Sequence, residues 1–162
     1  MEAFYPWVVF VHVLGAFGFA VSHGVSAAVA LRLRHEREVE RVRALLELSQ
    51  LATGAMYVAI LVLLAGGIAA AFIAGLWGRG WIWAAIATLV LVMGFMYARA
   101  SRYYGELRGS VGLVNYQRRD APVAVDQAEM TRLLASPRGT ELAAVGTLAL
   151  VVLLWLMFFK PF

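Results

Sequence analysis

Four long apolar runs divide this chain, and polar segments rich in arginine separate them. A helix needs about 20 apolar residues to cross the hydrocarbon core of a bilayer. The predicted spans cover about residues 4–31, 51–76, 81–101 and 142–159. The pattern therefore predicts an all-α fold, a four-transmembrane-helix bundle in which residues 1–162 form a single integral membrane domain.

Two polar segments carry helical signals of their own. Residues 36–50 combine mixed charges with apolar residues at helical spacing, so the second span is predicted to begin as a helix before the membrane. Asp126 with Glu129 three places later forms a capping box, which predicts a short helix over 126–134. A turn is predicted at 121–123.

Arginine is distributed unevenly among the connections, and this predicts the orientation. Five arginines lie between the first two spans and six lie between the last two, whereas the other connection has Arg79 alone and the tail has Lys160 alone. Because cytoplasmic loops carry the excess of basic residues, both long loops are predicted to be cytoplasmic and both termini outside. Tryptophans crowd the opposite ends of the spans, as an aromatic belt does.

Composition supports a membrane protein and excludes several classes. The chain is 62% hydrophobic and 15% charged, whereas a soluble domain is nearer half apolar and a quarter charged. It has no cysteine, which excludes disulfides, iron–sulfur clusters and thiolate metal sites. The net charge of +4 indicates lipid head groups rather than nucleic acid as the basic loops' partner. We expect a multi-pass protein of a bacterial cytoplasmic membrane.

Two histidines lie inside the first span, where ionisable residues are costly and are functional candidates. His12 and His23 are eleven residues apart, which places them on one helix face about 16 Å apart. The opposite side of the helix is apolar and is predicted to face lipid. Matching of depths across antiparallel spans places His12 beside Gly66 and Gly67. It places His23 level with a second group: Met56, Tyr57, Met93, Met96 and Tyr97.

Several chemistries are compatible with these residues. Haem b with His23 and one methionine is one candidate, and the glycines beside His12 would leave room for a porphyrin. A bis-histidine haem would need a dimer, because only the first span contains histidine. Copper, a quinone pocket and a proton relay are the alternative functions. A purely structural interpretation is that both histidines form hydrogen bonds to neighbouring helices. The predicted cofactor-binding residues are His12, His23, Met56, Tyr57 and Met96, with both histidines as metal ligands.

The run Phe10-Val11-His12-Val13-Leu14-Gly15-Ala16 resembles the opening of copper-resistance D (CopD)-like bacterial integral membrane proteins. These are distantly similar in layout to the membrane protoporphyrinogen oxidase of haem synthesis. The stretches 22–27 and 56–67 resemble an uncharacterised branch of that group. The resemblance implies a compact bundle in which His12 can ligate haem b or copper. Phe19 stands in place of the family's tryptophan, and Val21 and Ser22 replace two glycines, so oxidase activity is not implied.

The sequence contains no phosphate-binding loop, zinc-protease motif or nucleophile motif, so no catalytic residue is predicted and a non-enzymatic role is favoured. The leading functional hypothesis is a haem-binding, redox-associated electron-transfer protein. The alternatives are a non-catalytic accessory subunit of a larger respiratory or photosynthetic membrane complex, and a copper- or quinone-handling protein. Assembly as a homodimer or in a larger complex is compatible with each.

Overall fold

A computed structural model describes residues 2–114 and 124–162. These residues form five α-helices and two short 3₁₀ turns, at Glu2–Phe4 and Leu76–Gly78, and the predicted turn at 121–123 lies outside them. The α-helices are α1 (Tyr5–Leu33), α2 (Val39–Ile73), α3 (Gly80–Ser110), α4 (Gln127–Ala135) and α5 (Arg138–Phe159).

Four helical stretches are long and apolar enough to cross a membrane: α1, α2, α3 and the run 127–159 that contains α4 and α5. The all-α, four-span prediction is therefore confirmed. Pro6 lies in the first turn of α1, where its missing N–H leaves no intrahelical bond unmade. On the side of α1 that was predicted to face lipid, Val13, Phe17 and Val21 are indeed exposed.

The helices extend beyond the predicted spans at one end of the bundle, where the α1–α2 and α3–α4 connections and most arginines lie; we call this the basic end. The predicted helix before the second span is confirmed, because α2 begins at Val39 and runs without a break. Helix α3 continues past the predicted end of the third span at 101 to Ser110, and α5 begins at Arg138, before the predicted start of the fourth span at 142. At 1.5 Å per residue α2 is about 52 Å long, well over the roughly 30 Å hydrocarbon core.

A buried apolar cluster holds the basic end together, and every α-helix contributes to it. Its members include Leu33, Val42, Leu107, Met130 and Leu142. The position of α4 in this cluster follows from its sequence, because Met130, Leu133 and Leu134 fall on one helix face.

The sequence correctly predicts Asp126 as the N-cap of α4, but the predicted capping box is only half formed, because the Glu129 carboxylate binds Arg132 and not the Asp126 N–H. The Asp126 carboxylate accepts the backbone N–H of Glu129 at 2.9 Å, and the Asp126 N–H donates to the Ser110 carbonyl at 2.9 Å. Since the first N–H groups of a helix have no intrahelical partner, the side-chain bond satisfies one of them. The second bond ties the start of α4 to the end of α3.

At the opposite end, which we call the tryptophan end, the connection between α2 and α3 packs against aromatic rings. The Trp77 and Trp83 rings lie 5.7 Å apart, and Trp81 is buried beside Ala71 and Ile82. The Lys160 ammonium lies 5.8 Å from the Trp81 ring centroid, so the end of α5 is held against the start of α3.

The order of helix contacts determines where the bundle opens. Helix α1 packs along α2, α3 packs along α5, and α1 also contacts α5, whereas α2 and α3 scarcely touch. Although α2 and α3 are consecutive and antiparallel, they therefore stand apart and leave a gap between them.

Candidate functional site

A cavity of about 480 Å³ lies in the gap between α2 and α3, and we call it the α2–α3 cavity. Helix α1 closes it on one side through His23 and Ser26, and α5 contributes Leu142 and Ala143. Its volume is within the range of about 300–1,000 Å³ that small-molecule and cofactor sites occupy in proteins.

The structure brings together the residues that depth matching placed level with His23. All five line the α2–α3 cavity together with His23: Met56, Tyr57, Met93, Met96 and Tyr97. An imidazole, three thioethers and two phenols therefore surround one space at membrane depth.

The His23 imidazole is buried and has its nitrogen-bearing edge against α5. Its Nε2 lies 3.4 Å from Thr147 Oγ1, and Thr147 Oγ1 itself lies 2.8 Å from the Ala143 carbonyl oxygen. A hydroxyl has a single proton to donate. Since Thr147 donates that proton to the carbonyl, it can only accept from His23. This bond pattern assigns the proton to Nε2 and the lone pair to Nδ1.

Two neighbours hold the His23 ring in this orientation. The ring stacks on Phe19 with centroids 6.2 Å apart and planes 17° apart. A Cβ at Gly146 would overlap Cε1 of His23 and come within 3.1 Å of its Nδ1. The His23 ring can therefore pack directly against α5 because residue 146 is glycine.

His12 lies outside the cavity, in the contact between α1 and α2. Its Nδ1–H donates to the Leu63 carbonyl at 2.8 Å. A Cβ at Gly66 would come within 2.8 Å of the His12 backbone nitrogen, and one at Gly67 within 2.9 Å of the ring. The predicted proximity of His12 to these glycines is therefore correct. The space that was expected there for a porphyrin is filled by His12 itself.

The two histidines point into the bundle, as predicted, but they contact different helices. His12 binds α2 and His23 binds α5, so they do not form one site.

Sequence reasoning missed the polar part of the cavity lining, near the basic end. Ser49 and Thr53 of α2 belong to it, and Ser26 Oγ lies 3.5 Å from Ser49 Oγ. Helical spacing could have identified these residues. On α3, positions 93, 97, 100, 104 and 108 form one continuous stripe, and on α2 positions 46, 50, 53 and 57 form another.

One of the cavity-lining residues that the structure describes has a charged side chain: Arg108. Its Nε donates to the Val114 carbonyl at 3.2 Å, which anchors the guanidinium near the last turn of α3. The cavity therefore runs from apolar residues at membrane depth to a cation at the basic end.

No protein-family model, curated protein or solved structure matches this chain. Within residues 2–114 and 124–162, no group of three or more His, Cys, Asp or Glu side chains could hold a metal ion. The CopD-like resemblance, haem b and copper therefore stay predictions.

The donor types around the cavity fit haem b or Cu(I), since imidazole and thioether ligate both. The orientation of His23 adds a condition. Its nitrogens lie against Gly146 and Thr147, so ligation of a group in the cavity requires the ring to turn away from α5. The cavity itself, rather than a preformed metal centre, is thus the candidate functional site.

Proposed function

We propose that this multi-pass membrane protein binds a membrane-soluble small molecule in the α2–α3 cavity, in a redox-associated role. The observation that supports the proposal is the separation of α2 and α3, which leaves a cavity between two helices that are otherwise adjacent in the chain. A binding site in a bundle is typically an apolar space with a few polar groups on facing helices. The mixture of methionine, tyrosine and hydroxyl side chains in this cavity fits that description.

Haem b is the first candidate ligand. The imidazole of His23 and the thioethers of Met56, Met93 and Met96 line the same cavity, and histidine with methionine is a known axial pair for haem. Bound haem would supply one-electron chemistry. The contribution of the chain would be the imidazole, the thioethers and a water-poor cavity. A quinone is the neutral alternative, with tyrosine and serine hydroxyls as donors to its carbonyl groups.

Gly54 provides a specific way to test the cavity. It lines the α2–α3 cavity, and a Cβ at this position would have no atom within 4 Å. A phenylalanine there would therefore fill the cavity without disturbing the helices. Gly94 is a matched control, because it also has open space beside it and is not among the lining residues.

The experiment compares the wild-type protein with Gly54→Phe and Gly94→Phe, each purified in mild detergent after expression with ample haem. A reduced-minus-oxidised absorption spectrum measures haem, and solvent extraction with mass spectrometry measures any other bound molecule. We expect wild type and Gly94→Phe to retain a ligand, and Gly54→Phe to bind it at least about tenfold more weakly, equivalent to roughly 1.4 kcal/mol.

His23→Ala adds a readout for the haem candidate, since loss of an axial ligand changes the spectrum even when haem stays bound. If wild type, Gly54→Phe and Gly94→Phe contain the same molecules in the same amounts, the cavity is not a binding site and the proposal is wrong. If a ligand other than haem is lost from Gly54→Phe alone, the site is confirmed and the haem candidate is rejected.

A further inference from the structure

We infer that the ligand of the α2–α3 cavity carries a carbonyl or carboxylate oxygen that binds the hydroxyl groups of Ser26 and Ser49, while its apolar body lies between the methionines. This inference rests on the proposed function, since it specifies the chemical class of the molecule in that cavity and its orientation. A quinone, with its ketone oxygens, and haem b, with its carboxylates, both belong to this class, whereas a pure hydrocarbon does not.

The two serines form a pair in the cavity wall, one on α1 and one on α2. The Oγ atoms of Ser26 and Ser49 lie 3.5 Å apart, whereas a hydrogen bond between two hydroxyls usually spans about 2.5–3.0 Å. Each hydroxyl has one proton to donate, so a bond between them uses one proton of the two. The pair can therefore donate its second proton to an acceptor in the cavity.

Burial makes an external acceptor favourable for this pair. Ser49 is only 6% exposed, and a buried hydroxyl without a good hydrogen bond lowers stability. Within residues 2–114 and 124–162, the long contact between Ser26 and Ser49 is the one side-chain hydrogen bond that either hydroxyl makes. A ligand oxygen placed between the two hydroxyls would supply the bond that this contact supplies poorly.

The other hydroxyl groups in the described lining of the cavity differ from this pair. Thr53 Oγ1 donates its proton to the Ser49 carbonyl at 2.8 Å, and Ser101 Oγ donates to the Tyr97 carbonyl. The Tyr57 and Tyr97 side chains are 47% and 70% exposed, so their phenols can form hydrogen bonds outside the cavity. The serine pair is therefore the buried donor whose proton is not already used.

The level of the serine pair determines how such a ligand would be oriented. From Ile73, the last residue of α2, 20 residues of helix cover the roughly 30 Å of a hydrocarbon core, which places the membrane boundary near Thr53. Ser49 is four residues, or about 6 Å, beyond that point, and Met56 lies on the other side of it. The ligand oxygen would therefore lie at the head-group level, where the Tyr104 phenol of α3 also lines the cavity.

The position of the opening favours a ligand that is dissolved in the bilayer. Residues 74–79 join α2 to α3 at the tryptophan end, and at the basic end Arg43 Nε donates to the Val111 carbonyl at 2.8 Å. Between these two connections the helices scarcely touch, and the exposed Tyr57 and Tyr97 line the cavity there. A molecule can thus enter between α2 and α3 at membrane depth, which suits an apolar body with one polar end.

The test uses two photoreactive probes with the same diazirine-bearing chain of about 16 carbons, one a methyl ketone and one the plain hydrocarbon. Each is added to the full chain in nanodiscs of ether-linked phosphatidylcholine, which contains no ester carbonyl to compete. Labelling of α2 and α3 is divided by labelling of the exposed Phe17 and Val21 of α1, which corrects for unequal distribution of the probes in the bilayer. We expect the ketone to label the wild-type cavity roughly fivefold more than the hydrocarbon, the effect of one neutral hydrogen bond.

The double variant Ser26→Ala, Ser49→Ala should abolish the preference for the ketone, because both donors are lost. Thr53→Val is the matched control: it removes a cavity hydroxyl one turn from Ser49 whose proton is already donated to the backbone, so the preference should remain. Competition distinguishes the two sources of the oxygen. An excess of a short-tailed quinone displaces the ketone probe if the site binds a quinone, and an excess of haem b displaces it if the site binds haem.

Equal labelling of the cavity by ketone and hydrocarbon in the wild-type protein would overturn the inference, and it would leave the cavity-binding proposal intact. That comparison needs no substitution, so it stands even if a variant fails to fold. A ketone preference that survives in the double serine variant would also overturn the inference, since another group would then bind the oxygen. Labelling of α2 and α3 that is the same in wild type and Gly54→Phe would instead refute both the inference and the proposed function.

Discussion

Helix α2 has two neighbours in the chain and meets them differently. Its contact with α1 is closed, whereas a cavity separates it from α3. Each pair of helices is antiparallel and joined by a short connection. On the α1 side of α2, glycines allow backbones to meet: a Cβ at Gly15 would lie 2.5 Å from the Leu63 nitrogen. On the α3 side, the long side chains of Met56 and Tyr57 face those of Met93 and Tyr97 around an empty space.

The difference shows what decides helix packing in a membrane. Helices surrounded by lipid gain little from burying apolar surface against each other, so close approach through small residues supplies much of the association energy. Gly15 and Gly66 provide that approach for α1 and α2. The corresponding faces of α2 and α3 lack it at the level of the cavity, and the two helices are instead connected through α1 and α5. The closed contact therefore serves stability, and the open one is where we propose that a ligand binds.

The largest expected effect on stability comes from a substitution that prevents α1 and α2 from packing closely. Gly15→Leu would force a side chain into the Leu63 backbone, which cannot move aside within a continuous helix. Overpacking typically costs about 1–3 kcal/mol, and we expect the upper part of this range. The measurement is thermal unfolding of detergent-purified protein, followed by the fluorescence of its five tryptophans.

Gly24→Leu is the control for that change. It lies on the same helix, and a Cβ at Gly24 has no atom within 4 Å. We expect its unfolding temperature to stay within a few degrees of wild type, since exposed substitutions usually change stability by less than about 0.5 kcal/mol. Equal destabilisation by the two variants would show that the α1–α2 contact is not the stabilising one.

The sequence predicted those features that depend on local chemistry or on depth alone. Asp126 caps α4 because its carboxylate needs only a neighbour three residues away, and His23 shares a cavity with Met96 because both lie at one depth. The open gap could not be predicted, because it depends on which faces of α2 meet α1 and α3. The extension of α3 to Ser110 was missed since Arg102 and Arg108 make that segment look like a loop, although they lie on a helix.

A second variant pair tests how strongly packing against α5 holds the His23 ring, which also lines the cavity. Gly146→Ala would place a methyl group where the His23 ring edge lies. We expect a cost of about 1–2 kcal/mol, smaller than at Gly15, because a side chain can turn aside whereas a backbone cannot. His23→Ala in the same protein should remove most of that cost.

The measurement is a double-mutant cycle of unfolding free energies for the two single variants and the double variant. Coupling of at least about 0.5 kcal/mol is expected for groups in direct contact. If the two changes in unfolding free energy are additive, the His23 ring does not contact α5 at Gly146. In Gly146→Ala the imidazole should also be displaced from Thr147, so stronger haem binding by this variant would indicate that His23 can ligate haem in the cavity.

The smallest expected effect concerns the turn that joins α1 and α2. Glu36 Oε1 accepts the backbone N–H groups of Arg37 and Glu38 at 3.0 and 3.2 Å. These two bonds lower the pKa of the Glu36 carboxyl below its ordinary value of 4.5. A carboxyl whose pKa is lower in the folded state contributes stability above its unfolded pKa, and the contribution is lost as the pH falls through the folded pKa.

Glu36→Gln weakens the turn that joins α1 and α2 but leaves Gly15 and Gly66, which bring the two helices together, unchanged. An amide oxygen can still accept both N–H groups, but it lacks the charge that makes the bonds pH-dependent. We expect wild type to unfold at a slightly higher temperature than Glu36→Gln near neutral pH, and the difference to disappear as the pH falls through the lowered pKa of Glu36. Glu47→Gln, which removes a carboxylate from the exposed surface of α2, is the control variant. Equal unfolding temperatures of wild type and Glu36→Gln at neutral pH would mean that the turn is held by the shape of the side chain rather than by its charge.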